Sequence, residues 1–151
     1  MTLPRPTLGV AVYYKDPRAA LDWLEAAFGF ERQMVISDAD GALVHSQIGF
    51  KEAYVMVGSE WADYVASPQS VQGRNTQSIS IEIDGAIDAH CERARAAGGV
   101  VMREPADQFY GDRTYSIRDP EGHVWHFHQK VADVSREDAE RATGLKIEGW
   151  A

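Results

Sequence analysis

The sequence predicts an α+β fold: one domain over residues 1–151, built from two tandem βαβββ modules, 7–58 and 76–129, that form a curved mixed sheet. A tail over 130–151 carries a short helix. Three observations predict this. Each segment opens with the alternating apolar residues of a strand and continues with apolar residues at helical spacing. An ungapped shift of 69, which carries Thr7 onto Thr76, also carries Val10, Val12 and Tyr14 onto Ile79, Ile81 and Ile83, Gly29 onto Gly98 and Glu52 onto Glu121. Asp119-Pro120-Glu121-Gly122 is a tight-turn sequence for a final hairpin, Pro fixing φ at one corner and Gly accepting a positive φ at the last.

Taken in order, the strand from Thr7 places Val10, Val12 and Tyr14 on one face and Gly9, Ala11 and Tyr13 on the other. Asp16 is a candidate N-cap, and Pro17 stands at the first helical position, where its missing N–H costs nothing. Ala20, Leu21, Leu24, Ala27 and Phe28 recur at helical spacing, and Gly29 is placed to end that helix. Phe30 to Ser37 and Ala42 to Gly49 read as strands around the turn Asp38-Ala39-Asp40-Gly41, and Ala53 to Val57 as a fourth. Ser59 to Asn75 has no period and reads as a connection whose Trp61 and Tyr64 require burial. In the second module Ala86 to Ala97 reads as a more polar helix, with Cys91 a packing residue rather than a nucleophile. In the tail Ser135 to Asp138 resembles a capping box, the helix ends at Gly144, and Ile147 and Trp150 are expected to dock.

In the last hairpin, alternation puts Val124, His126 and His128 on one face and His123, Trp125 and Phe127 on the other. A half-buried hairpin with histidines on its wet side accounts for this pattern without any site. The run YGDR (Tyr110 to Arg113), a strand, the DPxG turn and a second strand together resemble the last hairpin of the vicinal oxygen chelate superfamily. That superfamily includes glyoxalase I, extradiol dioxygenases, fosfomycin-resistance enzymes and bleomycin-binding proteins. YGDR followed by RDPEGHVWHF and then Val131-Ala132-Asp133-Val134-Ser135 is most similar to its PhnB-like branch. The resemblance implies the glyoxalase/bleomycin resistance fold, a half-barrel whose concave side holds metal and substrate and is often completed across a dimer.

Composition narrows the function classes. A net charge of −8, from 15 basic and 23 acidic residues, argues against nucleic acid as a partner and weakly favours a cationic ligand. No apolar run approaches a membrane span, and MTLPRPTLG has no targeting signal. One cysteine excludes an internal disulfide and fits a cytoplasmic protein. Two four-stranded modules leave edges that favour a homodimer.

In the family the resemblance points to, metal ligands come from the first and fourth strand of each module. Those positions here are expected to be Gly9, Ser78, Val57 and His126, of which only His126 is a good ligand. A divalent catalytic ion takes three protein donors, so the expected cofactor is none. The alternative is a divalent metal such as Zn, Ni, Fe or Mn, held by His126, His128 and Glu82. Without a metal, His126 and Glu82 form the candidate acid–base pair. Tyr13, Ser78, Ser80, Tyr110, Arg113, Tyr115 and His128 are the candidate ligand contacts, and Asp112-Arg113 reads equally well as a structural ion pair. Two functions follow: a metal-independent small-molecule binding protein with a sequestration or resistance role, or a His-based or metal-assisted lyase or isomerase of the glyoxalase type.

Overall fold

A computed structural model describes residues 5–151; the absence of a targeting signal rests partly on residues 1–4, outside that range. The first module runs β1 (Val10–Tyr14), α1 (Pro17–Phe28), β2 (Glu31–Ser37), β3 (Leu43–Phe50), β4 (Ala53–Ser59). The second runs β5 (Ile79–Glu82), α2 (Ile87–Ala96), β6 (Val100–Asp107), β7 (Asp112–Arg118), β8 (Val124–Lys130), and α3 (Arg136–Thr143) lies in the tail. The strands make two four-stranded sheets of order β1-β4-β3-β2 and β5-β8-β7-β6. In each, the first and last strands of the module pair in parallel and the other neighbours pair antiparallel, so both sheets are mixed.

The local chemistry explains why α1 begins and ends where it does. Asp16 accepts from the backbone N–H of Ala19 at 3.1 Å, Pro17 opens the first turn, and Gly29 closes the helix at φ +74. Helix α1 buries Leu21, Leu24, Ala27 and Phe28 completely or nearly so. At roughly 1.5–3 kcal/mol for a fully buried large apolar side chain, this stripe is a main contributor to the first module. Phe28 joins the modules, its ring lying 4.7 Å from Phe127 and 5.4 Å from Trp125 between centroids. Both helices thus lie in one core, and each sheet turns its other face outward.

The modules repeat, but not without a gap. Val12 pairs with Val57 and Ile81 with Phe127, so the first strands are 69 apart (81 − 12) and the last strands 70 (127 − 57). The helices are also 70 apart, since buried Leu21 and Leu24 correspond to buried Cys91 and Ala94 (91 − 21; 94 − 24). One extra residue enters before α2, where Gly85 and Ala86 both take positive φ. That residue is lost again after α2, since Arg32 opposite Ile48 matches Val101 opposite Ile117 at a shift of 69 (101 − 32; 117 − 48), and another enters the β7–β8 turn, where Asp119 to His123 lie outside the register. The position expected at Val57 therefore shifts by one: Val57 is fully buried in the core, and Met56 occupies the outward position matching His126.

Two further expectations are corrected. Trp61 and Tyr64 are exposed, at 63% and 73%, and stack edge-on against each other at 5.5 Å rather than entering the core. In the tail, Ser135 caps α3 by accepting from the Asp138 N–H at 3.1 Å and Gly144 ends it. Trp150 stays 42% exposed while donating from Nε1 to the Val134 carbonyl.

Candidate functional site on the second sheet

Strand alternation decides which face each residue of the second sheet occupies. Tyr115, Ile117, Trp125 and Phe127 are fully buried on the helix side, so Asp112, Thr114, Ser116, Arg118, His126 and His128 share the outward face. Two expected ligand contacts fall on the wrong side. Tyr115 stacks on Phe127 at 5.2 Å and lies 2.6 Å from His90 Nδ1 in the core, with its hydroxyl pKa pushed up by burial. Arg113 turns toward α2 and pairs with Asp88 at 2.9 Å and Asp107 at 3.1 Å, a structural ion pair, though not with the neighbouring Asp112.

The outward face is ordered in rows across the strands. One row runs Arg103–Ser116–His126–Ser80 through all four strands, each residue being the register partner of the next. The next row contains Thr114, His128 and Glu82. A pocket of about 310 Å³ is lined by Arg103, Tyr110, Asp112, Ser116, His126 and His128 among others. Ser116 Oγ lies 2.6 Å from His126 Nδ1, and His128 Nδ1 lies 3.3 Å from Asp112 Oδ2. Burial, and secondarily the Arg103 charge, hold His126 below the usual imidazole pKa, so the ring favours its neutral form.

Of the expected site residues, the structure brings His126, His128, Ser80 and Tyr110 together. Glu82 is exposed at the end of β5, next to His128 in register, and does not line the pocket. Its donor atoms and those of the two histidines do not lie within 4.8 Å of one another; among the described residues only Cys91, Glu92 and Glu104 form such a group. Tyr13 lies on the first sheet against Gly58. Ser78 precedes β5 and lines a separate cleft of about 310 Å³ whose walls include Phe30, Phe50, Tyr54, Ile79 and Ile81. That cleft is apolar and carries no imidazole or carboxylate. Arg103, Thr114 and Ser116 were not among the expected contacts; alternation along β7 signals the last two, whereas Arg103 follows a register irregularity after Val101.

The comparisons with known proteins bear on this geometry. The family model for the glyoxalase/bleomycin resistance protein/dioxygenase superfamily matches residues 8–127. The chain belongs to that superfamily. Uncharacterized proteins of Mycobacterium tuberculosis and Mycobacterium bovis are 26% identical over 148 residues, covering 95% of this chain and 86% and 96% of theirs. TioX from Micromonospora sp. ML1 superposes with a TM-score of 0.63 at 29% identity, over 82% of this chain and 98% of its own. The fosfomycin resistance protein FosX from Listeria monocytogenes has a TM-score of 0.61 at 16% identity, over 91% and 99%, and so shares the fold.

The superfamily resemblance implies metal ligands on the first and fourth strands of each module. The corresponding positions here are Gly9 and Ser78, immediately before β1 and β5, with Met56 on β4 and His126 on β8, and the Tyr54 ring fills the space a side chain at position 9 would take. One imidazole with a hydroxyl and a thioether does not fit a three-donor divalent site. Among the described residues no helix is long and apolar enough to cross a membrane.

Proposed function

We propose that this member of the superfamily binds a small molecule on the outward, concave face of the second sheet without the usual metal triad, in a sequestration or resistance role. We further propose that it is PhnB-like, homodimeric and cytoplasmic. The observation carrying the binding reading is the convergence of Arg103, Ser116, His126, His128 and Tyr110 on one pocket of about 310 Å³, a few polar groups that fix orientation in a concave site. The dimer reading rests on the outward face of the first sheet, where Met34 and Ile36 are 39% and 47% exposed. A second copy laid there would cover them and wall the polar pocket of its partner.

A thermal-shift screen of small molecules against the wild type and His126→Ala tests the binding reading. Ligands that stabilise the wild type and lose their effect in the variant support it; ligands that stabilise both equally place binding elsewhere. A second reading, a His-based lyase or isomerase of the glyoxalase type, is favoured by the 2.6 Å approach of Ser116 Oγ to His126 Nδ1, which fixes the ring for acid–base work. Stoichiometric Zn, Ni, Fe or Mn in protein purified without chelator would favour its metal-assisted form.

A further inference from the structure

The chain as a whole is acidic, at −8, yet charge on the second sheet's outward face is sorted along the strands. Arg118, then the row Arg103–Ser116–His126–Ser80, occupy one end. The carboxylates of Asp112 and Glu82 lie toward the other, with His128 beside Asp112. Most arginines in the described chain are committed: Arg32, Arg95, Arg113, Arg136 and Arg141 to carboxylates, Arg93 to backbone carbonyls. Arg103 and Arg118 make no such contact among the described residues, and the Arg118 Nε is buried without any hydrogen-bond partner. A buried N–H without an acceptor is costly, and an acceptor arriving with a ligand would remove that cost.

We infer that the Arg103–Ser116–His126–Ser80 row, backed by Arg118, recognises an oxyanion, a carboxylate or phosphate group, so that the ligand of this site is an organic anion. This rests on the proposed binding role of the same face and names the ligand class, against the cationic preference that net charge alone suggests. The chemistry of the row suits such a group. A guanidinium presents N–H groups in a fork matched to carboxylate or phosphate, and two hydroxyls and an imidazole complete a line of donors across four strands. The Arg103 charge already weighs against protonation of His126. A bound anion reverses that effect and favours the imidazolium, adding a charged donor.

Benzoate, benzyl alcohol and benzamidine share one ring and differ in charge, and phenyl phosphate tests the second oxyanion. Their binding is to be followed by imidazole NMR shifts of His126 in the wild type, Arg103→Gln and Arg118→Gln, with circular dichroism confirming that the variants fold. Benzoate or phenyl phosphate is expected to bind about tenfold or more tightly than benzamidine, and to lose about tenfold in Arg103→Gln, with affinity falling as salt rises. The tighter of the two anions identifies the oxyanion. The inference is overturned if benzamidine or benzyl alcohol binds as tightly as the anions, or if Arg103→Gln leaves anion affinity unchanged. In either case binding at His126 still stands. If all four probes leave His126 unmoved, the anion inference fails, and the wider thermal-shift screen decides separately whether the face binds any small molecule.

Discussion

The hydroxyl of Tyr14, on the first strand, donates a 2.6 Å hydrogen bond to the buried carboxylate of Asp119, 105 residues later in the last turn. The same carboxylate accepts from Trp125 Nε1 at 3.1 Å and from the backbone N–H groups of Glu121 and His123 at 3.1 and 3.0 Å. Glu121 then reaches the start of α1 and accepts from the N–H groups of Lys15 and Asp16 at 2.6 and 3.0 Å. The DPEG turn thus locks the second module onto the first. Asp119→Ala strands two buried side-chain donors, at about 1–3 kcal/mol each, and should cost about 2–6 kcal/mol, whereas Tyr14→Phe removes one bond and should cost about 1–2 kcal/mol. Urea midpoints of the two variants check the order.

Adjacent residues on β8 should respond oppositely. Trp125 is fully buried, so Trp125→Ala should destabilise by roughly 3–5 kcal/mol. His126 faces the pocket, and His126→Ala should cost about 1 kcal/mol or less while weakening ligand binding. Equal destabilisation by both, measured by denaturant titration, would mean that His126 is a core residue.

How much of this was legible follows from the same strands. The caps of α1 and the faces of β8 are local patterns, and alternation and capping reveal them. The extra residue before α2 is offset after that helix, and the one in the last turn leaves the apolar match between modules almost undisturbed, so an ungapped shift passes over both and misplaces Val57. Tyr115 and Arg113 were misplaced because nearness to the hairpin outweighed their alternation along β7. Arg103 follows a break in register in β6, which period-two counting cannot cross.

Stability should depend on pH through His90, which bridges the modules. Its Nε2–H donates to the Phe28 carbonyl at 3.2 Å, and its Nδ1 accepts from the Tyr115 hydroxyl at 2.6 Å. Burial holds its pKa below the ordinary imidazole value, the Phe28 bond opposing and the Arg93 charge adding to that shift. Between the folded and unfolded values the unfolded chain binds more protons, so this contribution is full above about pH 6.5 and is lost as pH falls through the folded pKa. His126 acts with the same sign. Urea midpoints at neutral and acidic pH should therefore differ less in His90→Gln than in the wild type, provided His126 is unchanged.

The most direct test of the central claim, that the concave face of the second sheet is the binding site, is an imidazole NMR titration of all five histidines with any ligand that stabilises the protein. His126 and His128 should shift, while His90 and His123, held in the core and the last turn, stay in place. A stabilising ligand that leaves His126 and His128 unmoved would contradict the claim.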